Sequence, residues 1–208
     1  TVKRHKAGYH DRNLYQNIAS ATKLREMKRN NENINDFIPY KLEDINCDIP
    51  YDISNLDSAI ISKLRLMTAE DLQNISEVTE GIENRILSSA NMSYSFETLV
   101  ENVKNKRYTT SKIRRMIISA LIGFTKDIYS PMPQYIRILG MNKVGMTILK
   151  QAKDICKVPI ITKTADFKEQ SPQFNLDVRA TNIAMLCNPI PTHRIGNADL
   201  KKSPIIMK

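Results

Sequence analysis

The chain lacks the features that would place it in a membrane or among zinc proteins. No hydrophobic run in its 208 residues approaches the roughly 18 residues that a membrane-spanning helix needs. Its three cysteines, Cys47, Cys156 and Cys187, form neither a Cys-x-x-Cys pair nor a cluster with histidine, which argues against a zinc site. A sparse, odd number of cysteines is typical of free thiols in a reducing compartment. We therefore predict a cytoplasmic protein with no metal site built from its own side chains.

The first residues also lack the pattern of a secretory signal peptide. The chain begins with Thr1 rather than Met, and the polar, basic stretch TVKRHKAGYHD is not followed by an apolar segment. We therefore expect this sequence to be part of a longer protein.

Positive charge is what the chain has in excess. Lysine and arginine total 31 against 22 acidic residues, for a formal net charge of +9 and an isoelectric point near 9.4. With 41% hydrophobic and 25% charged residues, the composition is that of a folded globular protein. Such a charge indicates an anionic partner, and nucleic acid fits better than an acidic protein.

Periodic apolar residues predict a mainly α-helical chain. The clearest helix spans residues 110–124, where one face carries apolar residues at helical spacing: Ile113, Met116, Ile117, Ala120, Leu121 and Phe124. Further helices are predicted from Lys23 to Arg29, after capping signals at Thr68 and Ser95, over 144–156 and over 177–187. Short strands are predicted within 135–141 and after Pro159, and the tail at residues 188–208 is predicted to be loop-like.

A concentrated basic segment, KNKRYTTSKIRR at 104–115, lies between two of the predicted helices. It holds six basic side chains and no acid. Because a helix begins at its hydroxyl cluster, free backbone N–H groups would add to its attraction for phosphates. Tyr108 could stack on an unpaired base. The alternative interpretation is a solvated loop whose charges only keep the protein in solution.

Several blocks, taken in order, resemble the second half of the bacterial tRNA(Met) cytidine acetate ligases. The blocks are KRHKAGYHD, IASATKLR, TEGIENRI, SFETLVENVKNKRYTTSKIRRMIISALIGF, YIRILGMNKVG and LDVRATNIAMLCNP. The resemblance covers nearly the whole chain and is weakest in 30–75 and 160–172. KNKRYTTSKIRRM is its most specific part.

The resemblance implies a fold, a reaction and two substrates. It implies that residues 1–42 are the trailing end of a Rossmann-like α/β nucleotidyltransferase domain and that 43–208 form a helical tRNA-binding domain. It also implies that ATP, with Mg²⁺, activates acetate as acetyl-adenylate, and that the acetyl group passes to N4 of the wobble cytidine of elongator tRNA(Met). No protein partner and no membrane contact are expected.

The same resemblance suggests which residues bind each substrate. Arg4, Ser20, Thr22 and Arg25 are expected at the ATP phosphates, because hydroxyls, N–H groups at a helix start and a guanidinium all favour a triphosphate. The alternative is an ordinary helix cap with a solvated arginine. Contacts to tRNA, mostly to phosphates, are expected from Lys104, Lys106, Arg107, Tyr108, Lys112, Arg114 and Arg115.

One departure from the family limits what the chain could do alone. The family's His-x-Gly-His motif is absent, and His10 does not replace it. No catalytic residue can therefore be named, and the chain is expected to be inactive by itself. Two other functions stay open: a non-catalytic RNA-binding module, and another relative of the nucleotidyltransferases.

Overall fold

The computed structural model describes Gly8 and residues 11–38, 51–79, 81–130, 132–167 and 171–207. The chain divides into two compact units, Thr1–Asp52 and Ile53–Lys208. The domain boundary predicted after residue 42 lies outside the described residues.

The first unit contains one α-helix, α1 (Ala21–Arg29), among its described residues. Ser20 starts the helix, since its side-chain oxygen accepts a hydrogen bond from the N–H of Lys23 at 3.0 Å. The same hydroxyl donates to the carbonyl oxygen of Asp11 at 2.5 Å. A single 3₁₀ turn follows at Asn35–Phe37. The predicted helix is confirmed and begins two residues earlier than expected.

The second unit is built mainly from helices. They are α2 (Asp57–Arg65), α3 (Ala69–Gln73), α4 (Ile82–Met92), α5 (Phe96–Val103), α6 (Thr110–Ile122), α7 (Lys143–Ile155), α8 (Pro172–Met185) and α9 (Ala198–Lys201). Capping boxes begin α3 at Thr68 and α5 at Ser95, so both predicted caps are confirmed.

Helices α2, α4, α5 and α6 enclose the core of this unit. Its fully buried apolar side chains include Ile60, Leu64, Leu72, Ile86, Leu99, Ile113, Met116 and Ile117. The predicted inward face of α6 is confirmed, because Ile113, Met116, Ile117 and Ala120 are all buried. Leu121 packs at the edge of the same core. Burial of this stripe fixes α6, and with it the side chains at its N-terminal end.

Gly123 ends α6 in the left-handed region, with φ of 71°. A Cβ there would lie 2.7 Å from Nη1 of Arg179, which donates to the carbonyl oxygen of Ile122 at 3.0 Å. We expect Gly123→Ala to lower the free energy of unfolding by about 2 kcal/mol, from a left-handed alanine plus displacement of that arginine.

Gly81 supplies the matched control, because its φ is 89° but no atom lies within 4 Å of an added Cβ. Gly81→Ala should lower the free energy of unfolding by about 1 kcal/mol, because only the left-handed backbone conformation disfavours alanine there. Urea denaturation of both variants checks this, and equal losses would contradict the role given to the Arg179 contact.

Two pairs of very short parallel strands follow the helical core. β1 (Ile136–Arg137) pairs with β3 (Ile160–Ile161), and β2 (Gly140–Met141) pairs with β4 (Ile205–Ile206). The predicted strand within 135–141 is therefore two strands with different partners. The prediction of a loop-like tail is wrong, because the tail contains α9 and β4.

The tail is fixed by a half-buried ion pair. Asp199 accepts hydrogen bonds from both terminal nitrogens of Arg137, at 2.7 and 2.5 Å. Its backbone carbonyl accepts from the hydroxyl of Thr164 at 2.5 Å. The hydrogen bond from Arg137 to Asp199 raises the pKa of the guanidinium further. These contacts join β1, the turn after β3 and α9.

The predicted last helix is confirmed but starts earlier, at Pro172, with Ser171 as its cap. Among the helices of the described ranges, none combines the length and the apolar character required to traverse a bilayer.

Candidate nucleic-acid interface

The loop between α5 and α6 carries the basic segment, and both of its ends are fixed. At the start, the guanidinium of Arg85 donates to three carbonyl oxygens, those of Asn102 (3.1 Å), Val103 (2.8 Å) and Lys104 (2.8 Å). These are the carbonyls that a helix C-terminus leaves without partners. Arg85 thus closes α5 and sets the direction in which the basic loop leaves it.

The rest of the loop is shaped by its own polar side chains. The side-chain oxygen of Asn105 accepts from the backbone N–H groups of Arg107 (2.9 Å) and Tyr108 (3.0 Å). Thr109 then caps α6 by accepting from the N–H of Lys112 at 3.3 Å. The loop therefore presents its cations from a backbone that is already ordered.

Tyr108 lies inside this loop and not on its surface, which is a correction to the predicted base stacking. Its side chain is only 8% exposed, and its hydroxyl shares a 2.5 Å hydrogen bond with that of Thr79. The Arg107 guanidinium and the Lys112 ammonium lie 5.3 and 5.1 Å from its ring centroid. The ring leaves little face for a base and instead holds two cations in place.

The six basic side chains of the segment fall into two classes. Three have a carboxylate partner: Lys104 with Glu101, Arg114 with Glu97, and Arg115 with Glu77. The other three, Lys106, Arg107 and Lys112, have no acidic partner among the residues that the structure describes. Lys106 and Arg107 are exposed and Lys112 is half-buried. Positive charge that is not neutralised by the protein itself is therefore concentrated at these three positions.

The paired arginines are held by geometry that a phosphate could also satisfy. Nε of Arg115 lies 3.0 Å from each carboxylate oxygen of Glu77, and this hydrogen bonding raises the pKa of the guanidinium further. The Arg115 side chain is 58% exposed and the Glu77 side chain 36%, and such surface pairs contribute little net stability. An incoming phosphate could thus replace the carboxylate at small cost.

A pocket of about 460 Å³ lies directly beside the paired arginines. Its apolar lining comes from Ile53, Phe96, Ile118 and Phe124. Its polar lining comes from Glu77, Arg114, Arg115 and Ser119. The pocket therefore joins a hydrophobic floor to both a carboxylate and two guanidinium groups.

The second predicted site, at the start of α1, is described only in part. Arg4 lies outside the described residues. Ser20 is buried and its hydroxyl is occupied by the cap bond and the bond to Asp11, so it shapes the helix start. Thr22 is half-buried, and Arg25 is exposed one turn further along the same helix face. No hydrogen bond or ion pair within the described ranges engages the Arg25 side chain.

No group of three or more His, Cys, Asp or Glu side chains that could hold a metal ion occurs in the described part of the chain. Glu83 is the most unusual acid there, since it is 3% exposed and its Oε2 is buried without a partner. Hydrogen bonds, first from its own backbone N–H and then from Gln73, lower the pKa of Glu83. The carboxylate therefore lies buried in the first turn of α4, with Oε1 accepting from the Gln73 amide at 3.1 Å.

The comparison that decides the family is with a protein-family model. Residues 1–199 match the family described as HIGH Nucleotidyl Transferase. The chain belongs to this family. The resemblance found in the sequence is confirmed by the relatives that it matches.

Those relatives carry one description across several bacteria. The chain is 33% identical to the tRNA(Met) cytidine acetate ligase of Thermosipho africanus, with 100% of this chain and 56% of that protein covered. It is 32% identical to the protein of the same description from Clostridium botulinum strain Loch Maree, covering 53% of it. The chain thus spans about half the length of the curated relatives it matches.

Solved structures agree with this family assignment. The apo form of Thermotoga maritima TmcAL superposes with a TM-score of 0.85 and 28% identity, over 99% of this chain and 55% of that one. A second structure of TmcAL, bound with alpha-thio ATP, gives a TM-score of 0.78 over 91% and 52%. The fold of this chain is therefore that of about half of TmcAL.

Sequence patterns missed two residues of this interface. Arg85 and Glu77 meet their partners only after the chain has folded, since Glu77 and Arg115 are 38 positions apart. Glu77 also has a φ of 67°, uncommon for a residue other than glycine. No local motif in the sequence marks either residue.

Proposed function

We propose that the chain is part of an ATP-dependent ligase that acetylates a cytidine of tRNA(Met). Acetate would be activated by ATP as acetyl-adenylate, and the acetyl group would then pass to N4 of the wobble cytidine of the elongator tRNA. One observation carries the proposal: the chain is similar over nearly its whole length to acetate ligases of this description and to TmcAL bound with an ATP analogue.

The basic loop supplies the contact to tRNA in this proposal. Lys106, Arg107 and Lys112 bind phosphates directly, because no carboxylate of the described residues neutralises them. Arg114 and Arg115 join them by exchanging their carboxylate partners for phosphates. Such contacts position the RNA without selecting its sequence. Lys104 lies at the edge of this surface, and Tyr108 acts by orienting Arg107 and Lys112.

The start of α1 contributes part of the ATP site. The first N–H groups of a helix have no intrahelical partner and attract phosphate. Thr22 and Arg25 share one face of this nine-residue helix, so a hydroxyl and a guanidinium would reach the same anion. Arg4 is proposed for the same site on the family resemblance alone. Mg²⁺ would enter as the complex with ATP, coordinated mainly by phosphate oxygens and water.

Replacement of Arg25 tests the ATP site. We expect Arg25→Ala to weaken ATP binding about tenfold, because a charge-assisted hydrogen bond to phosphate is lost. Lys28→Ala, which removes a cation at the other end of α1, should leave ATP affinity unchanged. Isothermal titration with MgATP measures both. An equal loss in the two variants would mean that the helix contributes only general positive charge.

Direct measurement of binding and transfer tests the whole proposal. The 208-residue chain is expected to bind both tRNA(Met) and MgATP, yet to form no acetylated tRNA from labelled acetate, because it contains no His-x-Gly-His motif. A chain that binds tRNA but not MgATP would instead support the RNA-binding module. Failure to bind either substrate would overturn the proposal.

A further inference from the structure

Helix α7 leaves a cavity between itself and the short strands near it. The helix follows β2 and leads into β3, and a helix in that position normally covers the strands and buries apolar side chains against them. None of the 13 residues of α7, all of which lie in the described ranges, is fully buried. A pocket of about 460 Å³ is lined instead by α7, β2 and β4, and this volume is typical of small-ligand sites.

The apolar lining of this pocket is entirely aliphatic. It consists of Met141, Met146, Leu149, Pro204 and Ile206. Methionine is unbranched and flexible, so it adapts to ligands of irregular shape. No aromatic side chain is among the described residues that line the pocket, so a nucleobase would find no ring on which to stack. The lining therefore suits a flexible hydrocarbon chain better than a flat ring.

The polar lining of the same pocket is basic. Lys150 and Lys153 lie one turn apart on α7, and Lys163 follows β3; all three are exposed. In the part of the chain that the structure describes, no ion pair engages these lysines and no acidic residue lines the pocket. The hydroxyls of Thr162 and Ser203 add hydrogen-bond donors. An anionic group is therefore complementary to this edge of the pocket.

We propose that this pocket binds an aliphatic carboxylate of the size of a medium-chain fatty acid. The hydrocarbon chain lies on the aliphatic lining, where its burial supplies most of the affinity. The carboxylate lies among the lysines, whose compact charges on flexible stems reach it at the exposed edge. Helix α7 supplies both parts, because Met146 and Leu149 share one side of the helix with Lys150 and Lys153. The inference is independent of the proposed function, since it requires neither tRNA nor ATP.

Calorimetric titration of the full 208-residue chain with decanoate, at concentrations below those that form micelles, tests the proposal. Decanoate is expected to bind at a single site. Octanoate should bind about tenfold more weakly, because two fewer methylenes are buried. Decanol, which has the same chain without the charge, should also bind about tenfold more weakly. Equal affinities for decanoate and decanol would overturn the role given to the lysines.

Removal of two lysines should have the same effect as removal of the carboxylate. Lys150→Gln combined with Lys153→Gln is expected to weaken decanoate binding about tenfold and to leave decanol binding unchanged. The matched control combines Lys143→Gln with Lys157→Gln, which removes the same charge from the first residue of α7 and from a position just after its end. Neither control residue lines the pocket, so decanoate affinity should change by less than about twofold. Equal losses in the two double variants would overturn the proposal.

A bulky side chain inside the pocket tests its location. Met146→Trp should fill the pocket with an indole and abolish decanoate binding. Ile148→Trp is the control, because Ile148 belongs to the same helix but is 59% exposed and does not line the pocket; it should bind decanoate normally. Thermal unfolding of both variants is compared with that of the unaltered chain. Decanoate binding that survives Met146→Trp in a folded chain overturns the assignment of the pocket.

The outcomes separate this inference from the proposed function. A chain that binds tRNA(Met) and MgATP but no decanoate overturns the inference and leaves the proposed function intact. Displacement of decanoate by MgATP also overturns the inference, because the pocket would then belong to the nucleotide site. A chain that binds decanoate but neither tRNA(Met) nor MgATP supports the inference and overturns the proposed function.

Discussion

Replacement of Lys106, Arg107 and Lys112 together by glutamine is expected to weaken tRNA binding about 100-fold at roughly 0.1 M salt. Each cation that contacts a phosphate releases counterions from the RNA, and the effect of three contacts multiplies. These three side chains are expected to account for most of the loop's affinity for tRNA, because its other cations are paired with Glu101, Glu97 and Glu77. Filter binding with tRNA(Met) measures the change.

The control for this variant removes the same charge from elsewhere in the second unit. Lys150, Lys153 and Lys163 are exposed and belong to or adjoin α7 and β3. Their combined change to glutamine should lower the affinity only slightly, through the reduced net charge. If both triple variants lose affinity equally, the interaction is a general charge effect and the basic loop is not the contact surface.

The largest effect on stability is expected at Leu99, which is completely buried in α5. Leu99→Ala should lower the free energy of unfolding by about 3 kcal/mol, because a buried leucine loses its transfer free energy and leaves a cavity. The cavity would lie in the core that holds α5 against α6. Denaturation in urea, followed by circular dichroism, measures this loss.

Leu66 provides the comparison, since it follows α2 and is 83% exposed. Leu66→Ala should change stability by no more than about 0.5 kcal/mol. A small loss of unfolding free energy in both variants would show that α5 does not pack as described. It would also contradict the fixed direction in which the basic loop leaves α5.

The parts of the fold that the sequence predicted correctly have local causes. Helix α6 is predicted by the spacing of its apolar residues, by Thr109 at its start and by Gly123 at its end. All of these signals lie within one continuous segment. The capping box at Thr68 is readable for the same reason, because Thr68 and Asp71 are three residues apart. Local signals of this kind need no knowledge of tertiary contacts.

The parts that the sequence did not predict depend on distant partners. The sequence predicts the strands within 135–141 and after Pro159 but not their pairing, because Gly140, for example, pairs with Ile205 from the far end of the chain. The unpredicted strand β4 is only two residues long and carries no alternating pattern. In the same way, the choice of Arg114 and Arg115 as paired cations depends on Glu97 and Glu77, which are 17 and 38 positions away.

Tyr108 shows why composition alone misassigns a role. An aromatic residue among six basic ones suggests a surface for stacking bases. The sequence does not reveal, however, that the Tyr108 hydroxyl forms a hydrogen bond with Thr79, which lies 29 positions earlier. In the structure the ring is buried, and it lies against Arg107 and Lys112. The sequence predicts the charges of the segment but not the orientation of its single aromatic ring.

We propose that the loop between α5 and α6 binds RNA phosphates through Lys106, Arg107 and Lys112, the three cations of the segment without a carboxylate partner among the described residues. The most direct test is the salt dependence of tRNA(Met) binding by the unaltered chain and by the Lys106, Arg107 and Lys112 triple variant. The logarithm of the affinity against the logarithm of salt concentration should lose about 2 to 3 units of slope in the variant. An unchanged slope would contradict the claim, whatever the affinities themselves.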